Sequence, residues 1–171
     1  MSAKLLPLLA LPLFAASAPA LAAAPAPRVS AASFDALPKP LPLPYDVAAN
    51  AHAQVAAAKA QARREHKLLL IDMGGNWCLD CRLLAGVTAL PEVHRFVDAH
   101  YVEVTVDVGR FDKNLDISAH YGIARPEGVP ALLVVDPRTD RLVNKGRIAA
   151  LADARSLSPQ ALADWLAQWV N

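Results

Sequence analysis

The chain has 171 residues, 54% of them hydrophobic, a formal charge of +1 and two cysteines. That is enough for one domain with residues to spare. Lys4 carries the only charge of the first 24 residues, so the remainder balances 16 basic against 16 acidic residues, which argues against a surface built to attract nucleic acid or an anionic membrane.

Residues 1–24 read as a secretory signal: Met1 and Lys4, an apolar stretch from Leu5 to about Leu13, then small residues. Ala20-Leu21-Ala22 and Ala22-Ala23-Ala24 both fit a cleavage site, and Pro7, Pro12 and Pro19 argue against a retained spanning helix. No cysteine precedes Cys78, so no lipid-anchored start is available. The expected compartment is a bacterial periplasm, where disulfides form. Residues 25–44 carry six prolines, and the alternation from Pro38 to Pro44 predicts an extended, semi-rigid linker. The folded domain is then expected from Tyr45 to Asn171.

Asp46 to Arg64 is alanine-rich, lacks Gly and Pro, and gathers Lys59, Arg63 and Arg64 near its end, which predicts a surface helix suited to the helix dipole. Leu68-Leu69-Leu70-Ile71 predicts a strand buried on both faces and ended by Asp72. Gly74-Gly75 predicts extra backbone freedom before a helix from Cys78. Leu90-Pro91-Glu92 opens a further helix to about Ala99. Tyr101 to Asp107 alternates and is rich in β-branched residues, a second strand. Leu115 to Tyr121 is a short helix stopped by Gly122. Gly128-Val129-Pro130 leads into a third strand, Ala131 to Val135. Asp136 to Asp140 is turn chemistry, and Arg141 to about Lys145 a return strand. Ser158 and Pro159 start a last helix, with Leu162, Trp165, Leu166 and Trp169 as its core stripe. These elements predict an α/β fold with a central mixed sheet flanked by helices on both faces.

The chemistry concentrates at Trp77-Cys78-Leu79-Asp80-Cys81-Arg82. Two cysteines three apart, after a buried strand and at a helix start, predict a thiol–disulfide redox site. Free helix amides and the dipole favour a thiolate at Cys78, and Cys81 lies one turn on, placed to resolve a mixed disulfide. A purely structural disulfide here would close too small a loop to constrain the unfolded chain. A zinc site needs about four ligands, and His52, His66, His94, His100 and His120 are scattered as surface or packing residues. Haem attachment would need His where Arg82 stands. No metal and no cofactor is expected. Asp80 is expected to be solvated, its charge opposed by Arg82.

The sequence resembles the thioredoxin superfamily, in particular its exported members, over about Tyr45 to Asn171. Trp77-Cys78-Leu79-Asp80-Cys81-Arg82 is similar to the family's Trp-Cys-x-x-Cys followed by a basic residue. Asp72, six residues before Cys78, stands where thioredoxins bury a carboxylate. Gly128-Val129-Pro130 is similar to the family's cis-proline loop. Leu79-Asp80 departs from the Gly-Pro of thioredoxin itself, and Arg125-Pro126-Glu127 looks like a small insertion. The resemblance implies a thioredoxin-like fold, with Cys78, Cys81 and Asp72 as catalytic residues. Asp72 would take the Cys81 proton. Trp77, Val129 and a cis Pro130 would bind substrate, the Val129 backbone pairing with an incoming peptide.

The function this favours is an exported thiol–disulfide oxidoreductase acting on protein thiols and disulfides. The negative charges of Asp72 and Asp80 tilt the expectation toward a reductase, which needs electrons from a membrane donor. A soluble monomer is expected after signal cleavage near Ala22 or Ala24. The competing class is a non-enzymatic binder on the same fold: a chaperone, an assembly factor or a Cu(I)-handling protein.

Overall fold

The computed structural model describes residues 24–170. The signal segment expected over residues 1–24, with its cleavage positions, lies outside them but for Ala24. Among the described residues no helix is long and apolar enough to cross a membrane.

Among the described residues nine main elements follow one another: α1 (Ala51–Glu65), β1 (Leu68–Gly74), α2 (Leu79–Thr88), α3 (Pro91–His100), β2 (Tyr101–Asp107), α4 (Leu115–His120), β3 (Ala131–Asp136), β4 (Arg141–Leu142) and α5 (Pro159–Ala167). The sheet runs β2-β1-β3-β4. β2 lies parallel to β1, while β3 runs antiparallel to both β1 and β4. The mixed sheet between helices is the expected architecture. Its two faces bury separate apolar clusters. Leu70, Leu132 and Val134 pack with α2, α3 and α5. Leu69, Ile71, Met73 and Leu133 pack with Ala51, Ala58 and Ala62 of α1.

Three local readings shift for physical reasons. The first helix begins at Ala51 rather than Asp46, because the Asn50 side chain accepts from the Ala53 N–H and sets the cap; Val47 stays exposed ahead of it. β1 does not end at Asp72. Thr105 of β2 and Leu132 of β3 flank that residue, and the ladder to β2 continues to Gly74 opposite Asp107. The return strand is only Arg141–Leu142, because Asn144 replaces it with a side chain. Its Oδ1 accepts from the Val134 N–H at 2.9 Å and its Nδ2 donates to Leu132 O at 2.7 Å. Gly122, at φ +84°, closes α4 as expected: Gly122 N–H reaches Ala119 O and Ile123 N–H reaches Ser118 O.

The larger correction concerns residues 25–44, which are not a free linker. Ala31, Leu37 and Leu41 are buried in the cluster with α2, α3 and α5. Apart from one 3-10 turn at Phe34–Ala36 the segment has no regular structure, and its polar groups are used one by one. Val29 N–H donates to Gln160 Oε1, Ser30 N–H to Glu92 Oε1, and Gln160 Nε2 to Pro27 O. Arg82 donates to the carbonyls of Leu41 and Pro42, and Thr105 Oγ1 to that of Pro44. Proline blocks a helix or an inner strand but leaves each carbonyl free to accept. The segment is therefore a strap across the domain that ends by delivering Tyr45 to the sheet.

Candidate active site

The site forms where β1 runs out and α2 begins. Cys78 is the N-cap of α2, with extended backbone, so its sulfur stands where a capping oxygen would. Cys78 Sγ accepts from the Cys81 N–H at 3.1 Å. The Cys78 thiol pKa is lowered to about 7. The Cys81 thiol, donating to it, is the main cause, and the Cys81 and Asp80 amides add to it; burial and the Asp80 charge oppose. Cys81 is fully buried behind it. Its pKa is raised, first by its hydrogen bond to Cys78, then by burial and the nearby charges of Cys78 and Asp72. Both residues are free thiols, one poised to ionise and one held protonated.

The loop before β3 closes the other side. The Val129–Pro130 bond is cis, as the resemblance implied. The Cys78 thiol donates to Val129 O at 3.4 Å, so that carbonyl faces the sulfur. Cys78, Cys81, Val129 and Pro130 thus come together. Trp77 stands to the side as a rim: it is 43% exposed, and its Nε1 donates to Gly109 O at 2.7 Å. The Arg110 guanidinium lies 4.4 Å from the centre of its ring, and that of Arg125 lies 4.9 Å from the centre of the Phe111 ring. The segment read as an insertion therefore supplies a cation to this rim.

Asp72 lies beneath the pair and is 2% exposed. Burial, then Glu103 and Cys78, hold its pKa well above the usual carboxylate range, partly offset by the hydrogen bond from Tyr45. It borders a cavity of about 230 Å³ shared with Pro42, Pro44, His94, Glu103 and Thr105, a route between the buried carboxyl and the surface.

Asp80 is corrected from solvated to buried, at 4% exposure. Its partner is Arg155, not Arg82. The Arg155 N–H and Nε reach Oδ1 at 2.9 Å and 3.0 Å, and Nη2 bonds Oδ2. Burial alone would raise the Asp80 pKa; the Arg155 contacts outweigh it and hold it low. Arg82 is occupied by the strap carbonyls. The glycines are corrected too. Neither Gly74 nor Gly75 has a positive φ; what matters is close approach. A Cβ on Gly74 would sit 2.3 Å from Tyr45 Oη and 2.8 Å from Cys81 Sγ, and one on Gly75 would sit 2.5 Å from Trp77 Nε1.

Three site residues had no signal in the sequence: Tyr45, Asn76 and Arg155. The Tyr45 hydroxyl donates to Asp72 Oδ1 at 2.9 Å. Asn76 clamps its backbone, accepting from the Tyr45 N–H at 3.1 Å and donating to Tyr45 O at 2.8 Å. Each contact spans 27 residues or more of chain, so no local pattern could announce it. Among the described residues no group of three or more His, Cys, Asp or Glu side chains is arranged to hold a metal ion.

The chain is similar to known proteins at the level of family and fold. A family model described as thioredoxin-like matches residues 50–137. The crystal structure of a disulphide isomerase from Xylella fastidiosa is 38% identical, with a TM-score of 0.69, over 75% of this chain and 97% of that one. A protein of unknown function from Pseudomonas aeruginosa is 18% identical, with a TM-score of 0.39, over 78% of this chain and 92% of that one. No curated protein matches significantly. With a cysteine at the mouth of α2, a second sealed behind it, a cis-proline loop opposite, and a family model covering half the chain, this protein belongs to the thioredoxin-like family.

Proposed function

We propose that the chain is an exported thiol–disulfide oxidoreductase that reduces disulfides in protein substrates. The observation that carries this reading is the Cys78 sulfur capping α2 on the Cys81 N–H, with its pKa near 7. The Cys78 thiolate attacks one sulfur of a substrate disulfide. That S–S bond breaks, and the departing substrate thiolate takes a proton from water. A Cys78–substrate mixed disulfide remains. Cys81 gives up its proton toward Asp72 and attacks the Cys78 sulfur. A Cys78–Cys81 disulfide forms, the second substrate thiolate leaves, and two electrons have passed to the substrate. An external dithiol, supplied by a membrane donor, restores the pair. The Val129 backbone pairs with the substrate chain, and Trp77 walls the site.

The expected reason for a reductase changes. Arg155 neutralises Asp80, so repulsion from a bare Asp80 charge does not favour the disulfide form. What favours a reductase is the moderate pKa of Cys78: a strong oxidant needs its reduced form stabilised by a thiolate far more acidic than this. The disulphide isomerase among the similar structures favours isomerisation as the second reading. Reduction of insulin by the full chain is expected, and Cys78→Ser is expected to abolish it. Activity that survives that substitution would remove Cys78 as nucleophile and favour a binding role.

A further inference from the structure

The strap ends in a side chain that the redox chemistry above leaves unassigned. Tyr45 is 2% exposed and reaches the site from outside the elements that build it. Its hydroxyl donates to Asp72 at 2.9 Å. On its other side lies Cys81, and the missing Cβ of Gly74 is what leaves room for hydroxyl and sulfur together. Asn76, two residues before Cys78, fixes the Tyr45 backbone through two hydrogen bonds. A buried phenol with one packing role would not need a carboxylate on one side and a thiol on the other.

We propose that Tyr45 is a catalytic proton relay between Cys81 and Asp72. The inference rests on the redox reading above and assigns the path that its second step needs. In the resting pair the Cys81 thiol donates to Cys78. Once Cys78 is held in a mixed disulfide it is no longer an anion, and the Cys81 thiol turns to the Tyr45 oxygen. The thiol passes its proton to that oxygen as the hydroxyl passes its own to the Asp72 carboxylate. The Cys81–H and Tyr45–H bonds break, and new O–H bonds form on Tyr45 and Asp72. Tyrosine is neutral before and after, and Cys81 is left as the thiolate that attacks. Burial, with Asp72 and Cys81 beside it, raises the Tyr45 pKa and resists a tyrosinate. The proton leaves Asp72 through the cavity where Glu103 and His94 are the other titratable groups.

The test uses the reduced full-length chain in stopped flow with 5,5′-dithiobis(2-nitrobenzoate). Cys78 attack releases the first coloured thiolate and Cys81 resolution the second, so no protein substrate is needed. With Tyr45→Phe the first phase is expected within twofold of the parent and the second at least tenfold slower at pH 7. The gap should narrow as hydroxide takes over at higher pH. Combined with Asp72→Asn, the double variant should be no slower than the slower single variant. Should Tyr45→Phe fail to fold, Asn76→Ala, which frees the clamped backbone, is read the same way. A second phase within twofold of the parent overturns the relay. So do equal losses in both phases, or slowing by the two substitutions that multiplies. Absence of a fast first phase in the parent would instead count against the redox reading itself.

Discussion

At the scale of single residues, the Asp80–Arg155 pair shows how one contact serves both stability and chemistry. Asp80 sits in the first turn of α2, where its charge suits the dipole but also opposes ionisation of Cys78. Arg155 offsets that second effect. Arg155→Ala should therefore move the pH midpoint of Cys78 alkylation by iodoacetamide upward from about 7, leaving less thiolate at neutral pH. It should also lower the urea midpoint at pH 7, by less than the loss of a sealed charge pair would, because the Arg155 side chain is 56% exposed. The sign with pH follows from linkage. Asp80 has a lowered folded pKa, so its contribution is present above the unfolded carboxylate value and lost as pH falls through the folded one. Denaturant melts of parent and variant should converge in acid. A variant as stable as the parent at pH 7, with an unmoved Cys78 midpoint, would show the pair to be idle.

At the scale of elements, the strap changes what counts as the domain. Leu37 is 3% exposed, in one cluster with Leu83, Leu84 and Leu162. Leu37→Ala should lower the unfolding free energy by about 2–5 kcal/mol. A free linker would lose almost nothing, so urea midpoints decide between the two. The sequence showed that this segment forms no long helix or inner strand, since proline dictates that locally. It could not show docking, because Ala31, Leu37 and Leu41 are too sparse among prolines to form a periodic stripe. The same limit applies to β4. A strand pattern was visible at Arg141, but the substitution of backbone by the Asn144 amide depends on Leu132 and Val134 lying opposite.

At the scale of the whole molecule, the direction of electron flow is a property of the pair in its complete setting. Equilibration with glutathione should place the Cys78–Cys81 couple below about −180 mV, the range of disulfide isomerases. A value well above that would overturn the reductase reading. Much of the site was legible beforehand. A Cys-x-x-Cys after a buried apolar run marks a strand–loop–helix junction, and the resemblance of Gly128-Val129-Pro130 to the family's cis-proline loop implies the loop that faces it. The alternation of strands and helices was enough for the mixed sheet. These features are written in neighbouring residues, where period, caps and backbone restriction act. The tertiary structure alone decided which charges are paired, that residues 25–44 are part of the domain, and that Tyr45 lies between a carboxylate and a thiol. Those outcomes depend on groups far apart in the chain sharing one desolvated space, and one-dimensional order carries no record of that proximity.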